Sequence, residues 1–300
     1  MPPAAVQGMC RIPGGRFRMG STRFYPEEAP VRVVEVAAFW MDPVPVTNAA
    51  FARFVADTGY VTVAETAPRV EDIPGLDPAL AVAGSAVFDN TLPGLQDGQP
   101  DTWWTYRPGA FWRQPLGPGS DLRGLDDHPV VHLAHADALA YAQWAGKQLP
   151  TEAEWEFAAR GGLDGADYAW GDDLAPGGAM LANYWQGFFP FRNEGLDGWQ
   201  RTSPVRHFPP NAYGLYDMIG NVWEWTADAW SLPGRPEAVS CCSSGVAQAP
   251  AALRQQVIKG GSHLCAENYC RRYRPAARHP QPVDTGTSHI GMRCVLRSPA

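Results

Sequence analysis

The chain is poor in charge. Only 18% of its 300 residues are Asp, Glu, Lys or Arg, and the formal balance is −7. A net-acidic protein lacks the basic field that general nucleic-acid binding needs, although the C-terminal quarter is locally basic. No apolar run approaches the length that crosses a bilayer, so no membrane insertion is expected. The start, Met1-Pro-Pro-Ala-Ala-Val6, has neither a basic n-region nor an apolar h-region, which argues against a cleaved leader and for a cytoplasmic, reducing setting. Six cysteines are too few for a disulfide scaffold in a chain of this length. In a reducing compartment, a close cysteine pair is more often catalytic or metal-binding than structural. There is no P-loop, no GxGxxG fingerprint, no internal repeat and no low-complexity tract.

What is plentiful is Gly (31), Pro (29) and Trp (12), a mix that predicts loop-rich structure pinned by aromatic packing in one domain over residues 1–300. Cys10 to Ser21 reads as a strand, a turn at Pro13-Gly14-Gly15 and a second strand. Val31–Met41 is apolar and β-branched and reads as another. Thr47 is placed to cap a helix over Asn48–Thr58, with Phe51, Phe54 and Val55 on one stripe and Gly59 as its stop. Ala67 to Ser120 shows no period and reads as a long ordered loop region. Ala136–Gly146 and the segment opened by the capping box Thr151–Glu154 read as two scaffold helices.

Two clusters invite metal readings. His128-Pro-Val-Val-His132-Leu-Ala-His135 has no helical i, i+4 pair and no acidic partner. An extended segment would put His128 and His132 on one face and His135 on the other, which favours hydrogen-bonding histidines over ligands. Asn183-Tyr-Trp-Gln-Gly187, Asn193 to Trp199 and Asn211 to Trp225 are rich in oxygen donors, which suit a hard cation. The same composition also makes Asx-turns.

The most specific stretch runs from Lys259-Gly-Gly-Ser262-His-Leu-Cys265 to Cys270-Arg-Arg272-Tyr-Arg274. Positions five apart share no face of a helix or of a straight strand, so the sulfurs of Cys265 and Cys270 can meet only across a turn at Ala266–Tyr269. Once together, they allow a structural disulfide, a redox pair or a two-thiolate metal site. Lys259, Arg271, Arg272, Arg274 and Arg278 would favour thiolate over thiol wherever they come close.

Leu149-Pro-Thr-Glu-Ala-Glu-Trp-Glu, Gly220-Asn-Val-Trp-Glu-Trp225 and the Gly-Gly-Ser-x-x-Cys-x-x-x-x-Cys-x-Arg-Tyr-Arg pattern together resemble the formylglycine-generating enzymes of the sulfatase-modifying-factor family, over about residues 11–296. The resemblance implies an α+β domain related to the C-type lectin fold, with little regular secondary structure. It implies a copper-dependent oxidase that uses O2 to convert the cysteine of a Cys-x-Pro-x-Arg motif in a newly made sulfatase to Cα-formylglycine. Copper(I) at Cys265 and Cys270 agrees with the preference of soft ions for thiolates. By motif position Ser262 and Trp223 would line the substrate pocket, and Arg272 would orient the cysteine loop or meet the substrate backbone.

The resemblance also implies two structural calcium ions. One would be held by Asn183, the Tyr184 carbonyl, Asp197 and the Trp199 carbonyl. The other would be held by Asp217, the Gly220 and Val222 carbonyls and Glu224. A monomer is expected on the same ground. The sequence departs from the family where Ala142 and Pro275 stand in place of disulfide cysteines, so Cys294 is expected free. His289 stands in place of an Asn and Met292 in place of an aromatic residue; no role carries over to His289, and none is assigned to Cys241-Cys242. The rival readings are a non-catalytic lectin-like binding protein and a thiol–disulfide redox protein of the same superfamily.

Overall fold

A computed structural model describes residues 6–72, 78, 81–91, 103–232 and 254–297. Cys241 and Cys242 lie outside them. The described residues form an α+β architecture of three α-helices and eleven short strands, joined by long irregular segments. Among them, no helix is long and apolar enough to cross a membrane.

Strands β1 (Cys10–Ile12) and β2 (Gly15–Met19) follow the expected pattern but belong to different sheets. β2 pairs with β3 (Arg32–Val36), whereas β1 pairs with β4 (Phe39–Met41). The single strand expected over Val31–Met41 is therefore two, broken at Ala37-Ala38 where the chain passes between sheets. Gly14 makes that crossing possible. Its φ is 71°, and a Cβ there would lie 2.6 Å from Val36 O and Ala38 N. β11 (Val295–Arg297) pairs with the other edge of β4, so both ends of the described chain meet in one three-stranded sheet.

Helix α1 (Asn48–Thr58) starts and stops where the sequence sets it. Thr47 Oγ1 accepts from Ala50 N at 3.2 Å, and Gly59 is left-handed at φ 67°. Phe51 and Phe54 pack into the core against Trp112 and Tyr141. The stretch 67–120 departs from the expected loop. It contains β5 (Gly84–Phe88) paired antiparallel with β6 (Trp104–Pro108), a short strand in which Trp104-Thr105-Tyr106-Arg107 alternates aromatic with polar. The histidine segment is not extended throughout either. His132 is left-handed at φ 65°, and His135 opens helix α2 (His135–Trp144). Each of the three makes a side-chain hydrogen bond: His128 to Thr202, His132 to Ser85 and to Pro115 O, and His135 to Thr226 O.

Helix α3 (Glu152–Arg160) has the Thr151/Glu154 capping box and ends at Gly161. It is buried, acids included, because each acid meets a base from elsewhere in the chain. Glu156 binds Arg160 (2.8 Å) and Lys259 (3.0 Å), Glu152 binds Arg278 (2.7 Å) and Glu154 binds Arg297 (2.6 Å). Of those partners, Lys259 and Arg278 lie on the sheet ordered β10 (Ile290–Gly291), β7 (Trp223–Ala229), β8 (Gln255–Lys259), β9 (Arg278–Pro282), and Arg297 lies on β11 of the three-stranded sheet. α3 thus clamps the ends of β8 and β9, from which the cysteine segment emerges.

Candidate active site

Left-handed Gly260 and Gly261 turn the chain sharply out of β8. A side chain at Gly261 would strike Arg272 O at 2.7 Å, so the turn and the Cys270–Arg272 segment need close backbone contact. The segment then folds on itself. Cys265 N donates to Ser262 O (2.9 Å), Tyr269 N to Ala266 O (3.2 Å) and Cys270 N to Ala266 O (2.9 Å). This is the turn that the five-residue spacing demands. It brings the two sulfurs to 3.3 Å, with both cysteines free. A disulfide would hold them near 2.05 Å.

The two thiols are not equivalent. Cys265 is 2% exposed, and burial pushes its thiol well up. The hydrogen bond from Cys265, followed by the charge and hydrogen bond of Arg272, lowers the Cys270 thiol to about 6. Cys270 is therefore the thiolate near neutrality and Cys265 the donor to it. Ser262 N also points at Cys265 Sγ (3.4 Å), while the Ser262 hydroxyl accepts from Leu264 N (3.2 Å).

Of the five cations expected near the sulfurs, Arg272 is the one whose guanidinium hydrogen-bonds to a sulfur, at 3.8 Å from Cys270 Sγ. The others are occupied, because a buried cation needs a carboxylate more than a distant thiol does. Lys259 and Arg278 bind α3. Arg274 forms a two-pronged pair with buried Glu28 and lies 3.7 Å over the Phe24 ring. Arg271 lies 3.9 Å from Glu267 and faces Phe24. Arg272 itself is held by Glu27 (2.6 Å) and by the Tyr25 ring (3.9 Å). The Tyr25–Glu28 turn, more than 240 residues earlier, is thus the brace of the cysteine segment. Sequence reasoning missed it. Two acids in an aromatic run, Phe-Tyr-Pro-Glu-Glu, are its only local signal.

The sulfurs open into a cleft of about 270 Å³. Ser262, Trp223, Cys265, Cys270 and Arg272 all line it, so the five residues singled out from sequence come together. Trp103, Trp104, Phe189 and Tyr269 add aromatic walls, and His279, Gln281 and His289 add a polar one. Burial, aided by Arg272, lowers His279 to about 4, and burial among other histidines lowers His289 well below its usual value, so both rings are neutral at pH 7.

The two oxygen-rich sets adjoin, since Asn221 N donates to Asn183 O (2.8 Å). In the first, the Tyr184 carbonyl and Asp197 Oδ2 converge on one point, where the Gln186 amide nitrogen donates to both. Trp199 N caps Asp197 Oδ1 (2.9 Å), and the Asn183 amide donates to Arg201 O (2.8 Å). Burial raises the Asp197 carboxyl, which marks a negative site short of positive charge. In the second, Asp217 is likewise raised by burial. Glu224, by contrast, already accepts from Trp155 Nε1 (2.7 Å) and from Arg293 (2.7 and 2.8 Å). The first set fits a cation on its donor chemistry. The second fits at Asp217 and is partly neutralised at Glu224. Among the described residues, no cluster of three or more His, Cys, Asp or Glu side chains is poised for a metal. Any ion here leans on carbonyl and amide oxygens.

The model of the sulfatase-modifying factor enzyme 1-like domain matches residues 2–298. The chain belongs to this family. It is 55% identical over 287 residues to a protein of Mycobacterium tuberculosis named formylglycine-generating enzyme, covering 95% of this chain and 96% of that one. It is 38% identical to a Bos taurus protein named inactive C-alpha-formylglycine-generating enzyme 2, with 95% and 87% covered. Among solved structures, PvdO from Pseudomonas aeruginosa superposes with a TM-score of 0.62 at 26% identity, covering 97% of this chain and 94% of that one. Cys294, expected to be free, is a buried thiol.

Proposed function

We propose that this family member is a formylglycine-generating enzyme: a copper-dependent oxidase that converts the cysteine of Cys-x-Pro-x-Arg in a sulfatase chain to Cα-formylglycine. The observation that carries the reading is the pair of free sulfurs, 3.3 Å apart, at the end of an aromatic cleft. The relative named formylglycine-generating enzyme, at 55% identity, supports it.

The donor set suits copper(I). Two cysteine sulfurs, one of them a thiolate at neutral pH, form a soft site at the cleft end. When bound, the ion supplies a coordination position for the substrate sulfur and a centre at which O2 is reduced. The chain's own residues do the rest. Arg272, fixed by Glu27 and Tyr25, keeps Cys270 in its thiolate form. Ser262 N and the buried setting of Cys265 hold the second sulfur in place. The aromatic walls exclude water from the reacting Cβ. In the overall balance, the substrate thiol, one O2 and two hydrogens from a thiol reductant give the aldehyde, one hydrogen sulfide and one water. The Cβ is oxidised and O2 is reduced.

The oxygen-rich loops support two structural calcium ions, one at Asn183, Tyr184, Asp197 and Trp199 and one at Asp217, Gly220, Val222 and Glu224. The first has the stronger physical support.

The test is conversion of a Cys-x-Pro-x-Arg peptide by copper-loaded protein under air with a reductant. It is read by product mass and by hydrazine trapping of the aldehyde. The expected outcome is copper-dependent aldehyde formation, absent from Cys270→Ser. Bound copper with no conversion would instead place the chain beside the relative named inactive. Turnover of generic disulfides without copper or O2 would point to a redox protein.

A further inference from the structure

The residues lining the cleft are of two kinds. Cys265, Cys270 and Arg272 are engaged with one another. Three other polar side chains each keep a polar atom without a partner among the described residues. His279 and Gln281 lie two apart on β9 and therefore share the face turned to the cleft. Neither ring nitrogen of His279 has a hydrogen-bond partner among the described residues; its ring only packs near Trp223, at 5.8 Å. Gln281 donates its amide to Thr285 O (2.9 Å), which leaves its side-chain oxygen without a partner among the described residues. His289 is tied at one edge. Its Nδ1 meets Thr287 Oγ1 at 2.6 Å, its ring leans on Trp104 at 4.8 Å, and its backbone carbonyl accepts from Trp223 N at 2.9 Å. Nε2, at the far edge of this anchored ring, is left without a partner among the described residues.

A half-buried polar edge without a partner costs stability unless a ligand completes it. Three such edges line the cleft, held by a strand, a threonine and two tryptophans, and that is a preorganised hydrogen-bonding surface. These three side chains are uncharged, so they are poorly suited to select an acidic or basic side chain. They suit the groups that every extended peptide repeats, the main-chain carbonyls and N–H groups. A motif with two unspecified positions needs recognition of that kind.

We infer that His279 and His289, with Gln281 beside them, hold the main chain of the substrate peptide in the cleft that the cysteine pair lines. They are positioning residues that set where the substrate sulfur arrives, and they take no part in binding the ion. The inference rests on the proposed function for the identity of the peptide.

Its test uses the full chain and a fluorescent Cys-x-Pro-x-Arg peptide, with a series in which one main-chain amide at a time is replaced by an ester. His279→Leu and His289→Leu are each expected to weaken peptide binding about tenfold, the loss of one hydrogen bond or about 1.4 kcal/mol. Copper(I) affinity, read by competition with a chelator, should stay within about twofold. Gln at either position should restore part of the binding. At least one ester peptide should lose about tenfold against the parent protein and nothing further against the matching Leu variant. Because the ester series changes only the peptide, it reads the contact even if a Leu variant folds poorly. Equal losses for every ester against parent and variants, or Leu variants that bind as tightly as the parent, overturn the inference and leave the functional reading intact. A parent protein that neither binds nor converts the peptide overturns both.

Discussion

The interior behind the cysteines and the cleft in front of them use similar residues to opposite ends. Behind, Glu152, Glu156, Lys259, Arg160, Arg274 and Arg278 are buried and every one is paired. In front, His279 and His289 are half-buried and each keeps at least one nitrogen unpaired among the described residues. Paired buried charges fix geometry, since each fails badly without its mate. Unpaired neutral groups leave geometry to be completed by whatever enters. The difference separates scaffold from binding surface more sharply than burial does.

The strongest way to break that contrast is in the interior. Among the described residues, Glu156→Ala leaves Lys259 with Glu152 alone (3.7 Å) and Arg160 with backbone carbonyls alone, and is expected to cost about 3–5 kcal/mol in denaturant unfolding, as is usual when one partner of a buried pair is removed. Burial pushes the Glu156 carboxyl up, but Lys259 and Arg160 outweigh it and hold the pKa below the ordinary range. The stabilisation is therefore complete above the unfolded carboxyl's pKa of about 4.3 and is lost as pH falls through the lower folded value. Acid unfolding of Glu156→Gln should accordingly be shallower than that of the parent.

The oxygen-rich loops give the next largest effect. Calcium at a hundred times its dissociation constant should raise stability by about 2.7 kcal/mol per site. Asp197→Asn should lose the response of the first site. Because burial already disfavours its charged form, the metal-free variant should be no less stable than the metal-free parent. A variant that keeps the full calcium response would remove Asp197 from the site.

The smallest effect sharpens the cleft side. The Arg272–Glu27 pair is partly open to solvent, with side chains 19% and 17% exposed. Arg272→Gln should therefore cost only about 1 kcal/mol in unfolding. It should nevertheless move the midpoint of Cys270 alkylation by iodoacetamide in metal-free protein upward from about 6. An unchanged midpoint would leave the hydrogen bonds from Cys265 and from the Arg272 backbone as the causes of the thiolate.

What the sequence discloses divides along the same line. The caps of α1 and α3 and the Ser262–Cys265–Cys270–Arg272 constellation are legible because their determinants lie within a few residues of one another. The split of Val31–Met41 between sheets is not, since the break at Ala37-Ala38 follows from pairing with β1 and β2. The β5–β6 pair is hard to read because only β6 alternates, as Trp104-Thr105-Tyr106-Arg107, while its partner β5, Gly84-Ser-Ala-Val-Phe88, does not. The brace at Tyr25 and Glu27 and the cleft wall at His279 and His289 are invisible for one reason: each becomes meaningful only through a neighbour far away in the chain. His289 stands out as a departure from the family pattern, but the departure alone cannot show that Thr287 and Trp104 anchor its ring.

The 245 residues between Glu27 and Arg272 also set an order in time. A ribosome delivers the carboxylates of the Tyr25–Glu28 turn long before the arginines they grip. Until then Glu27 and Glu28 must stay hydrated, and the closing strand β11 has yet to reach β4. The thiolate at Cys270 thus matures only once Arg272 has emerged and met a turn made long before it, so a nascent chain carries the cysteines for a time without the setting that makes one of them reactive.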